Sequence, residues 1–396
     1  MNYSTISYML DKCTKCMSCL KACPTGSISM VNNRIRIDNK DCINCGRCVK
    51  ACHSNGMVAH GSTLDEIRNY EYTVCIVPGA LISHCESFEQ AQDLFHAIRL
   101  LGFDEVVDTT DVDAQIVSEL SIMAEDAIGF TYIAPFCPVV NKMVHKKYSV
   151  LTENIAPIRY ASEIVASQIR KKHPGKNVGI FNLCECEAKL ALAKYPYGGD
   201  SYEVDHALSI SFVFPKIRNN MKKGFDDVSF NRLGLQSCSP TSMIQRDDVL
   251  CADSFGKISE ILDQSEFGIL DRFNLFCLYP CHNGCIGGHL LWGNPYLTRN
   301  SIYELTKENE KEMANLPFEE LYTEKNNEYE LSDIQFMERL TFFNKVNDIL
   351  EQLPGYDCSA CGKQTCRSMA EEIASGRKKL SDCRVIRAMK EKTDDD

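Results

Sequence analysis

The 396-residue chain lacks the features that would place it in a membrane, outside the cell or on nucleic acid. Its most apolar stretches, residues 74–82 and 208–214, are far shorter than the roughly 20 residues of a membrane-spanning helix. No basic segment followed by an apolar one opens the sequence, so we expect no secretory signal and a cytoplasmic location. Basic residues number 43 against 54 acidic ones, which gives a net charge of −11. These features predict neither a membrane nor a nucleic-acid partner.

Cysteine is present in unusual number, with 22 residues. Because a cytosolic chain keeps its thiols reduced, we do not expect a disulfide framework. Most of the cysteines form tight groups whose spacing is typical of metal ligands. The sequence therefore predicts a metalloprotein, and its length predicts two or three domains.

A repeated motif, C-x2-C-x2-C-x3-C, occupies the first sixty residues. Its members are Cys13, Cys16, Cys19 and Cys23 in the first copy, and Cys42, Cys45, Cys48 and Cys52 in the second. Three cysteines, each separated from the next by two other residues, surround one face of a 4Fe–4S cubane. The fourth cysteine reaches a second cubane, which is held by the other copy of the motif. We therefore expect Cys52 to join the first three cysteines of copy one, and Cys23 to join the first three of copy two. Zinc is the alternative, but zinc needs only four ligands and the repeat offers eight.

From about residue 72 the sequence alternates between strand and helix patterns. The predicted strands are 73–77, 105–107, 130–133, 178–183 and 273–278, with a helix over 86–101 and a further helix capped by Asp111 or Asp113. This alternation predicts parallel sheets with helices on both faces. Ligands of such folds lie outside the carboxyl ends of the strands.

Five cysteines follow the predicted strand ends: Cys137, Cys184, Cys186, Cys281 and Cys285. Four of these thiolates could hold one more cubane, and the glycines beside the last two would let the backbone approach a ligand closely. The alternative is that each is a small buried hydrophobic residue, the commoner position of a free thiol.

The last cysteine group reads Cys358-x2-Cys361-x4-Cys366-x16-Cys383 and resembles a small 4Fe–4S domain found in redox and sensory proteins. Zinc is again the alternative for four thiolates. An amphipathic helix is expected over 336–353, before this motif, and its apolar face is predicted to carry Leu340, Phe343, Val346, Ile349 and Leu350. The basic run 377–379 is either a solvated helix face or a docking patch for an acidic partner.

Four segments carry a family resemblance when they are taken with the N-terminal repeat. They are residues 101–109 (LGFDEVVDT), Phe136-Cys137-Pro138, Cys186-Glu187-Ala188-Lys189 and Cys281-x3-Cys285-x-Gly287-Gly288. Over roughly residues 1–295 this sequence resembles the iron-only (diiron) hydrogenases. The resemblance implies an H-cluster, which is a 4Fe–4S cubane bridged to a diiron unit with CO and CN ligands.

The resemblance also implies roles for individual residues. By the resemblance, the ligands of the H-cluster cubane are Cys137, Cys186, Cys281 and Cys285. Lys189 is expected to contact a cyanide of the diiron unit. The remaining residues expected around the cofactor are Pro78, Gly79, Gly287 and Gly288.

The sequence departs from the family pattern around the same motifs. Phe136 stands where catalytic members have a cysteine that relays protons. Cys184 and Tyr279 replace methionines, and Glu185 replaces a proline. These changes resemble the sensory branch of the family and predict slow turnover. The predicted catalytic positions are Phe136, Cys184 and Lys189.

We therefore expect an α/β protein with a two-lobed hydrogenase domain, whose parallel sheets surround a cleft. A dicluster ferredoxin-like domain precedes it, and a small helical 4Fe–4S domain follows. The predicted boundaries are 1–66, 67–315 and 316–396.

The expected function is slow interconversion of H2 with protons and electrons, in H2 sensing or redox signalling. The expected cofactors are three 4Fe–4S clusters and one H-cluster, and the expected partners are ferredoxin or another redox protein together with a signalling partner. Two alternatives remain open. One is an electron-transfer or iron–sulfur assembly protein with cubane clusters only, and the other is a full-rate hydrogenase with a different proton path through Cys184.

Overall fold

The computed structural model describes residues 5–192, 203–221, 226–240, 246–307, 311, 313, 317–323 and 333–393. The chain divides into two compact units, one formed by residues 60–326 and the other by residues 1–59 together with 327–396. The three predicted domain boundaries remain a prediction.

The described strands are short, and most belong to the unit 60–326. They are β1 (Ile6–Tyr8), β2 (Ile28–Val31), β3 (Arg34–Ile37), β4 (Met57–Ala59), β5 (Tyr72–Val77), β6 (Glu105–Asp108), β7 (Tyr132–Ile133), β8 (Val178–Cys184), β9 (His206–Ser209), β10 (Val249–Asp253) and β11 (Leu275–Tyr279).

The described α-helices range from single turns to five turns. They are α1 (Ser18–Ala22), α2 (Arg47–Lys50), α3 (Gly79–Ile82), α4 (Phe88–Arg99), α5 (Thr110–Asp126), α6 (Pro138–Lys147), α7 (Ala161–Lys172), α8 (Glu187–Leu192), α9 (Ile210–Asn220), α10 (Arg232–Gln236), α11 (Phe255–Glu266), α12 (Pro295–Thr306), α13 (Phe318–Leu321), α14 (Asp333–Glu351), α15 (Cys366–Ala374) and α16 (Arg384–Thr393). Among the described residues, no helix is both long and apolar enough to cross a membrane.

A four-stranded parallel sheet in the order β6–β5–β8–β9 forms the larger half of the unit 60–326. The central strands β5 and β8 are apolar on both faces because helices cover both. Side chains of β5 alternate: Val74 and Ile76 pack with α5 and α7, whereas Cys75 and Val77 pack with α4 and α9. The predicted parallel sheet with helices on both faces is confirmed.

A second parallel sheet, in the order β10–β11–β7, forms the smaller half. Residues of this sheet, such as Leu275 and Cys277, share one buried cluster with Val74 and Ile76 of the larger sheet. The strand predicted over 130–133 is reduced to β7, because the Phe130 side chain is exposed and Thr131 uses its hydroxyl to donate to the Phe273 carbonyl. The core therefore joins two parallel sheets through shared helices.

Two local predictions in this unit need correction. Strand β8 continues through Cys184, which pairs with Ser209 in β9, so Cys184 belongs to the sheet and does not follow it. The residue before α5 is Thr109 rather than Asp111 or Asp113, so the predicted cap is wrong. The carboxylate of Asp108 accepts the Thr110 amide at 2.8 Å and performs the capping role from the preceding strand.

The unit of residues 1–59 and 327–396 contains two antiparallel pairs, β1 with β4 and β2 with β3. Its C-terminal part packs α14 against α15, with Val346, Ile349 and Met369 in a common core. The helix predicted over 336–353 is therefore confirmed as α14, but Phe343, predicted on the buried face, is exposed. The side chain of Leu340 lies outside the described residues.

Candidate metal centres

The second ferredoxin-type site is built from both copies of the N-terminal repeat. A cavity of about 320 Å³ is lined by the cysteines Cys23, Cys42, Cys45 and Cys48, together with apolar residues of β2 and β3. Cys48 lies in α2, whose preceding residue Gly46 has φ 73° and turns the chain into the helix. The structure thus brings Cys23 to the three cysteines of the other copy, in the set that the spacing predicts.

The first site collects the other four cysteines of the repeat. Burial, together with smaller effects of the nearby charges of Cys52, Cys13 and Cys16, raises the pKa of the Cys19 thiol to about 11. Cys19 therefore lies close to the other three predicted ligands, because only neighbouring charges act on its pKa in this way. The Lys15 amide donates to the Cys13 sulfur at 3.3 Å and the Gly56 amide donates to the Cys52 sulfur at 3.1 Å. Such donors stabilise thiolate charge and tune cluster potentials.

The C-terminal cysteines also surround one cavity. Cys358, Cys361, Cys366 and Cys383 line about 340 Å³ of space. The carboxylate of Asp357 accepts the Cys366 amide at 2.6 Å, and the Lys378 ammonium donates to the Cys361 carbonyl at 2.7 Å. These contacts fix the two cysteine loops against α15 and hold the four thiols around one cavity.

The central cysteines lie at the carboxyl ends of three strands. Cys137 follows β7 and begins α6, Cys186 lies between β8 and α8, and Cys281 and Cys285 follow β11. Burial raises the pKa of the Cys186 thiol well above its ordinary value, and the nearby charges of Glu185, Cys281 and Cys137 raise it further. The pKa of Cys285 is also raised, first by burial and in part by Cys137, while Lys189 opposes the rise.

The thiols affect each other's pKa because the four predicted cubane ligands lie in one neighbourhood. Among the described residues, no three or more Cys, His, Asp or Glu side chains converge on a point where a single metal ion would bind. A cubane instead binds its four thiolates at separate iron corners.

Glycines let the loop after β11 approach the end of β8. A Cβ atom on Gly288 would lie 2.5 Å from the Glu185 carbonyl oxygen, and one on Gly284, where φ is +83°, would lie 2.4 Å from the Cys238 carbonyl oxygen. A Cβ atom on Gly287 would lie 2.0 Å from the His282 carbonyl oxygen, within the same loop. The Leu290 amide donates to the Glu185 carbonyl at 3.0 Å. This close packing holds Cys285 next to Cys186.

A pocket of about 670 Å³ opens beside the central cysteines. Of the residues predicted around the cofactor, Pro78, Gly79, Phe136, Lys189 and Cys285 line it. Gly287 and Gly288 shape the adjoining loop rather than the pocket lining. The pocket therefore lies between the carboxyl ends of the two sheets, where the fold class predicts a ligand.

Lys189 forms an ion pair with Glu185, with 2.5 Å between the ammonium and a carboxylate oxygen. Burial lowers the pKa of Lys189, but the charges of Glu185, Cys285 and Cys186 outweigh burial and raise the pKa well above its ordinary value. Glu185, almost fully buried, lies in the turn between β8 and α8, four residues before Lys189. The departure from proline at position 185 thus gives Lys189 a partner within the protein.

Phe136 and Tyr279, both departures from the family pattern, contact each other. Their rings stack with centroids 6.1 Å apart and planes 17° apart. The Tyr279 hydroxyl donates to the Ser237 carbonyl at 2.7 Å, inside the protein. The Phe136 ring, stacked on Tyr279, therefore lines the pocket at the position where the family pattern predicts a titratable thiol.

Cys184 lies outside the pocket lining, fully buried in β8. Its thiol donates to the Asn182 carbonyl at 3.5 Å and accepts from the Asn182 side chain at 3.6 Å. Burial raises its pKa well above the ordinary value. Asn182 itself lines the pocket, so it connects Cys184 with that space.

Several pocket residues carry no signal in the sequence. Cys238 lines the pocket after α10, and no motif spacing marks it. Asp113 also lines the pocket, and burial raises its pKa to about 7 although Thr109 donates a hydrogen bond to it at 2.6 Å. The sequence shows only that Asp113 lies in the first turn of a predicted helix, and that position suggests a cap.

Three segments of the chain match models of known protein families. Residues 5–53 match the family model of a 4Fe-4S dicluster domain. Residues 71–213 match the model of the iron only hydrogenase large subunit, C-terminal domain. The chain is an iron-only hydrogenase-like protein. Residues 353–385 match an Fe-S cluster family, so this hydrogenase-like protein carries an iron–sulfur domain on either side of its central region.

Solved structures similar to the hydrogenase-like chain are FeFe-hydrogenases at low identity. One, from a study of oxygen inactivation, is 14% identical with a TM-score of 0.48, over 63% of this chain and 89% of that one. A variant of an FeFe-hydrogenase from Chlamydomonas reinhardtii is 13% identical with a TM-score of 0.46, over 61% and 87% of the two chains.

A curated protein is also similar over a short segment. It is an archaeal-type glutamate synthase (NADPH) of Dehalococcoides mccartyi, 31% identical over 65 residues. The match covers 16% of this chain and 13% of that relative, so the hydrogenase-like protein spans only a small part of the length of that relative.

The hydrogenase family match covers part of the central site. Pro78, Gly79, Cys137, Cys186 and Lys189 lie within residues 71–213, whereas the loop with Cys281 and Cys285 lies beyond them. The ligand sets, the diiron unit and the sensory branch therefore remain predictions.

Proposed function

We propose that this FeFe-hydrogenase homologue interconverts H2 with protons and electrons slowly, in an H2-sensing or redox-signalling role. The proposal rests on the three strand ends that bring Cys137, Cys186, Cys281 and Cys285 together beside Lys189 and an open pocket. Four thiols of this kind suit a cubane, and the adjoining space suits a second group. When bound, an H-cluster supplies the chemistry of the H–H bond and exchanges the electrons.

The residues of the pocket determine how protons reach that space. General acid–base transfer needs a titratable group within hydrogen-bond reach. Phe136 and Tyr279 stack where the relay thiol is expected, and the Tyr279 hydroxyl is already bonded to the Ser237 carbonyl. Protons must therefore arrive through water or through polar residues on the other walls, which supports slow turnover.

The proposed cofactors are three ordinary 4Fe–4S clusters and one H-cluster. The ordinary clusters take their ligands from the two N-terminal cysteine sets and the C-terminal set. Residues 1–60 contain eight Lys and Arg against three Asp and Glu, which contrasts with the acidic chain as a whole. This local excess favours an acidic redox protein such as ferredoxin as the electron partner.

Infrared spectroscopy of the matured protein tests the proposal. Bound CO and CN should give bands that protein groups do not produce, with iron and sulfide for four cubanes and two further irons. Cys186→Ala should remove the CO and CN bands but leave the N-terminal and C-terminal clusters visible by EPR. Cys184→Ala is the matched control and should keep the bands, because Cys184 lies in the sheet. Bands that survive in Cys186→Ala and vanish in Cys184→Ala would make Cys184 the ligand.

The Glu185–Lys189 ion pair favours a second candidate, an electron-transfer or iron–sulfur assembly protein with cubane clusters only. In that case Lys189 is needed to neutralise Glu185 and the thiolates, and not to contact a cyanide. Iron and sulfide for four cubanes without CO or CN bands, after maturation, would support this candidate over the hydrogenase.

A further inference from the structure

Residues at the two ends of the sequence meet at the cysteine loops of two different sites. The Gln364 side chain donates to the Lys21 carbonyl at 2.7 Å. Gln364 lies two residues before Cys366, and Lys21 lies two residues before Cys23. A single hydrogen bond therefore joins the C-terminal cysteine motif to the N-terminal repeat, close to a ligand on each side.

Further contacts extend along the same two loops. A Cβ atom on Gly26 would lie 3.6 Å from the Ser368 hydroxyl, and one on Gly362 would lie 3.4 Å from the Met30 carbonyl. Gly26 follows Cys23 by three residues, and Ser368 follows Cys366 by two. Gln364 and Ser368 thus contact the N-terminal repeat on both sides of Cys366.

The neighbouring N-terminal cavity is the one that contains Cys23. It is lined by Thr25, Ser27 and Ile28 as well as its four cysteines, and these residues lie between the contacts at Lys21 and Met30. Thr25 also approaches the Cys23 sulfur at 3.7 Å. Cys23 and Cys366 therefore line two cavities whose cysteine loops contact each other.

We propose that the cluster of Cys358, Cys361, Cys366 and Cys383 exchanges electrons directly with the cluster of Cys23, Cys42, Cys45 and Cys48. This rests on the cluster occupancy proposed above and not on H2 chemistry. One electron moves: the reduced cluster becomes oxidised as its neighbour becomes reduced, and no bond forms and no proton is transferred. The external partner is a one-electron redox protein, and the exposed Cys358 and Tyr356 mark where the C-terminal cluster approaches the surface.

EPR spectroscopy of the full-length reduced protein tests the proposal. Two adjacent paramagnetic clusters broaden each other's signals and accelerate each other's spin relaxation. In Cys358→Ala, which removes an exposed ligand of the C-terminal cluster, the N-terminal signals should narrow and relax more slowly. Identical line widths and relaxation with and without the C-terminal cluster would overturn the proposal.

A second pair of variants separates contact from cluster loss. Ser368→Trp should push the two loops apart and reduce the broadening while iron and sulfide content stays unchanged. Ser375→Trp, at the exposed end of the same helix, is the control and should leave the spectrum unchanged. If Ser368→Trp loses its C-terminal cluster, the comparison of Cys358→Ala with the wild type still shows whether the two clusters are coupled. Zinc in place of iron and sulfide would contradict the cluster assignment itself, whereas full clusters without coupling would contradict only this inference.

Discussion

The Phe136 ring lines the pocket and stacks on Tyr279. Because a phenyl ring has no titratable group, it cannot supply a proton to the neighbouring space. Phe136→Cys should raise H2 evolution, because a positioned acid–base group typically contributes on the order of 10²–10⁴-fold. The gain will be at the low end if the rest of the path is also missing. The measurement is the H2 evolution rate of the matured protein with a chemical reductant.

Cys184→Ala tests whether protons reach the pocket through Cys184 or by a route through water and other polar residues. If protons travel through Cys184 and Asn182, the wild-type rate should match catalytic hydrogenases, Phe136→Cys should change nothing and Cys184→Ala should abolish turnover. That outcome would support the full-rate alternative. Equal slowness in all three proteins would show that Phe136 does not limit the rate.

The Glu185–Lys189 pair is a buried contact whose two partners depend on each other. Removing one partner leaves an uncompensated charge, whereas removing both removes the cost of desolvation as well. Glu185→Gln and Lys189→Met should each lower the free energy of unfolding by roughly 2–4 kcal/mol. The double variant should lose clearly less than the sum of the two. Chemical denaturation measures all four proteins, and simple additivity would mean that the two groups do not interact.

Asp113 links the stability of the central unit to pH. An aspartate in the unfolded chain has a pKa near 4, while burial raises the folded pKa to about 7. Between these values the folded protein holds a proton that the unfolded chain has lost, so stability falls as the pH rises from about 4 to 7 and then stays level.

Asp113→Asn should remove this loss of stability between about pH 4 and 7, because asparagine does not ionise. The variant should be more stable than the wild type above pH 7, by at most about 4 kcal/mol, and the difference should shrink toward pH 4. Thermal unfolding across this pH range measures the effect. Asp126→Asn, exposed at the other end of α5, is the control and should follow the wild type. A parallel pH profile for Asp113→Asn would refute the role of burial.

At the scale of elements, the loop after β11 depends on its close approach to β8. Gly288→Ala would place a Cβ atom 2.5 Å from the Glu185 carbonyl, so the loop must move away and carry Cys285 with it. We expect loss of the central cluster with the N-terminal and C-terminal clusters retained, measured by iron content and EPR. Gly256→Ala, in α11 where a Cβ atom would meet no neighbour within 4 Å, should leave the iron content and the EPR spectrum unchanged. Full iron content in Gly288→Ala would show that the loop tolerates the shift.

Sequence patterns predict the elements unevenly, for physical reasons. The strands β5 and β8 are apolar on both faces and bounded by polar residues, so their predicted bounds agree with the structure within one residue. The cap of α5 is missed because Asp108, which bonds to the helix amide, belongs to the preceding strand in sequence and meets the helix only through the turn. Asp113 is then available to face the pocket. Propensity describes local preference, and these two residues are placed by tertiary contacts.

At the scale of the whole molecule, the cysteine spacing predicts which thiols meet, even across the two copies of the repeat. Short spacings limit how a chain can surround a cubane, and Cys23 lines one cavity with the cysteines of the second copy, as this limit predicts. The meeting of Gln364 with Lys21 has no such local cause. No sequence pattern near either position signals a partner more than 300 residues away, so the sequence suggests two separate iron–sulfur domains.

The shared unit of the two chain ends has a consequence for synthesis. Residues 60–326 separate its halves, and a ribosome adds roughly 5–20 residues per second, so the first half waits for tens of seconds before the second emerges. During that time the face with Lys21, Gly26 and Met30 lacks the C-terminal residues that contact it in the folded protein. Any cluster that assembles in the N-terminal repeat during this interval forms before its C-terminal neighbour exists, and the C-terminal segment then covers that face.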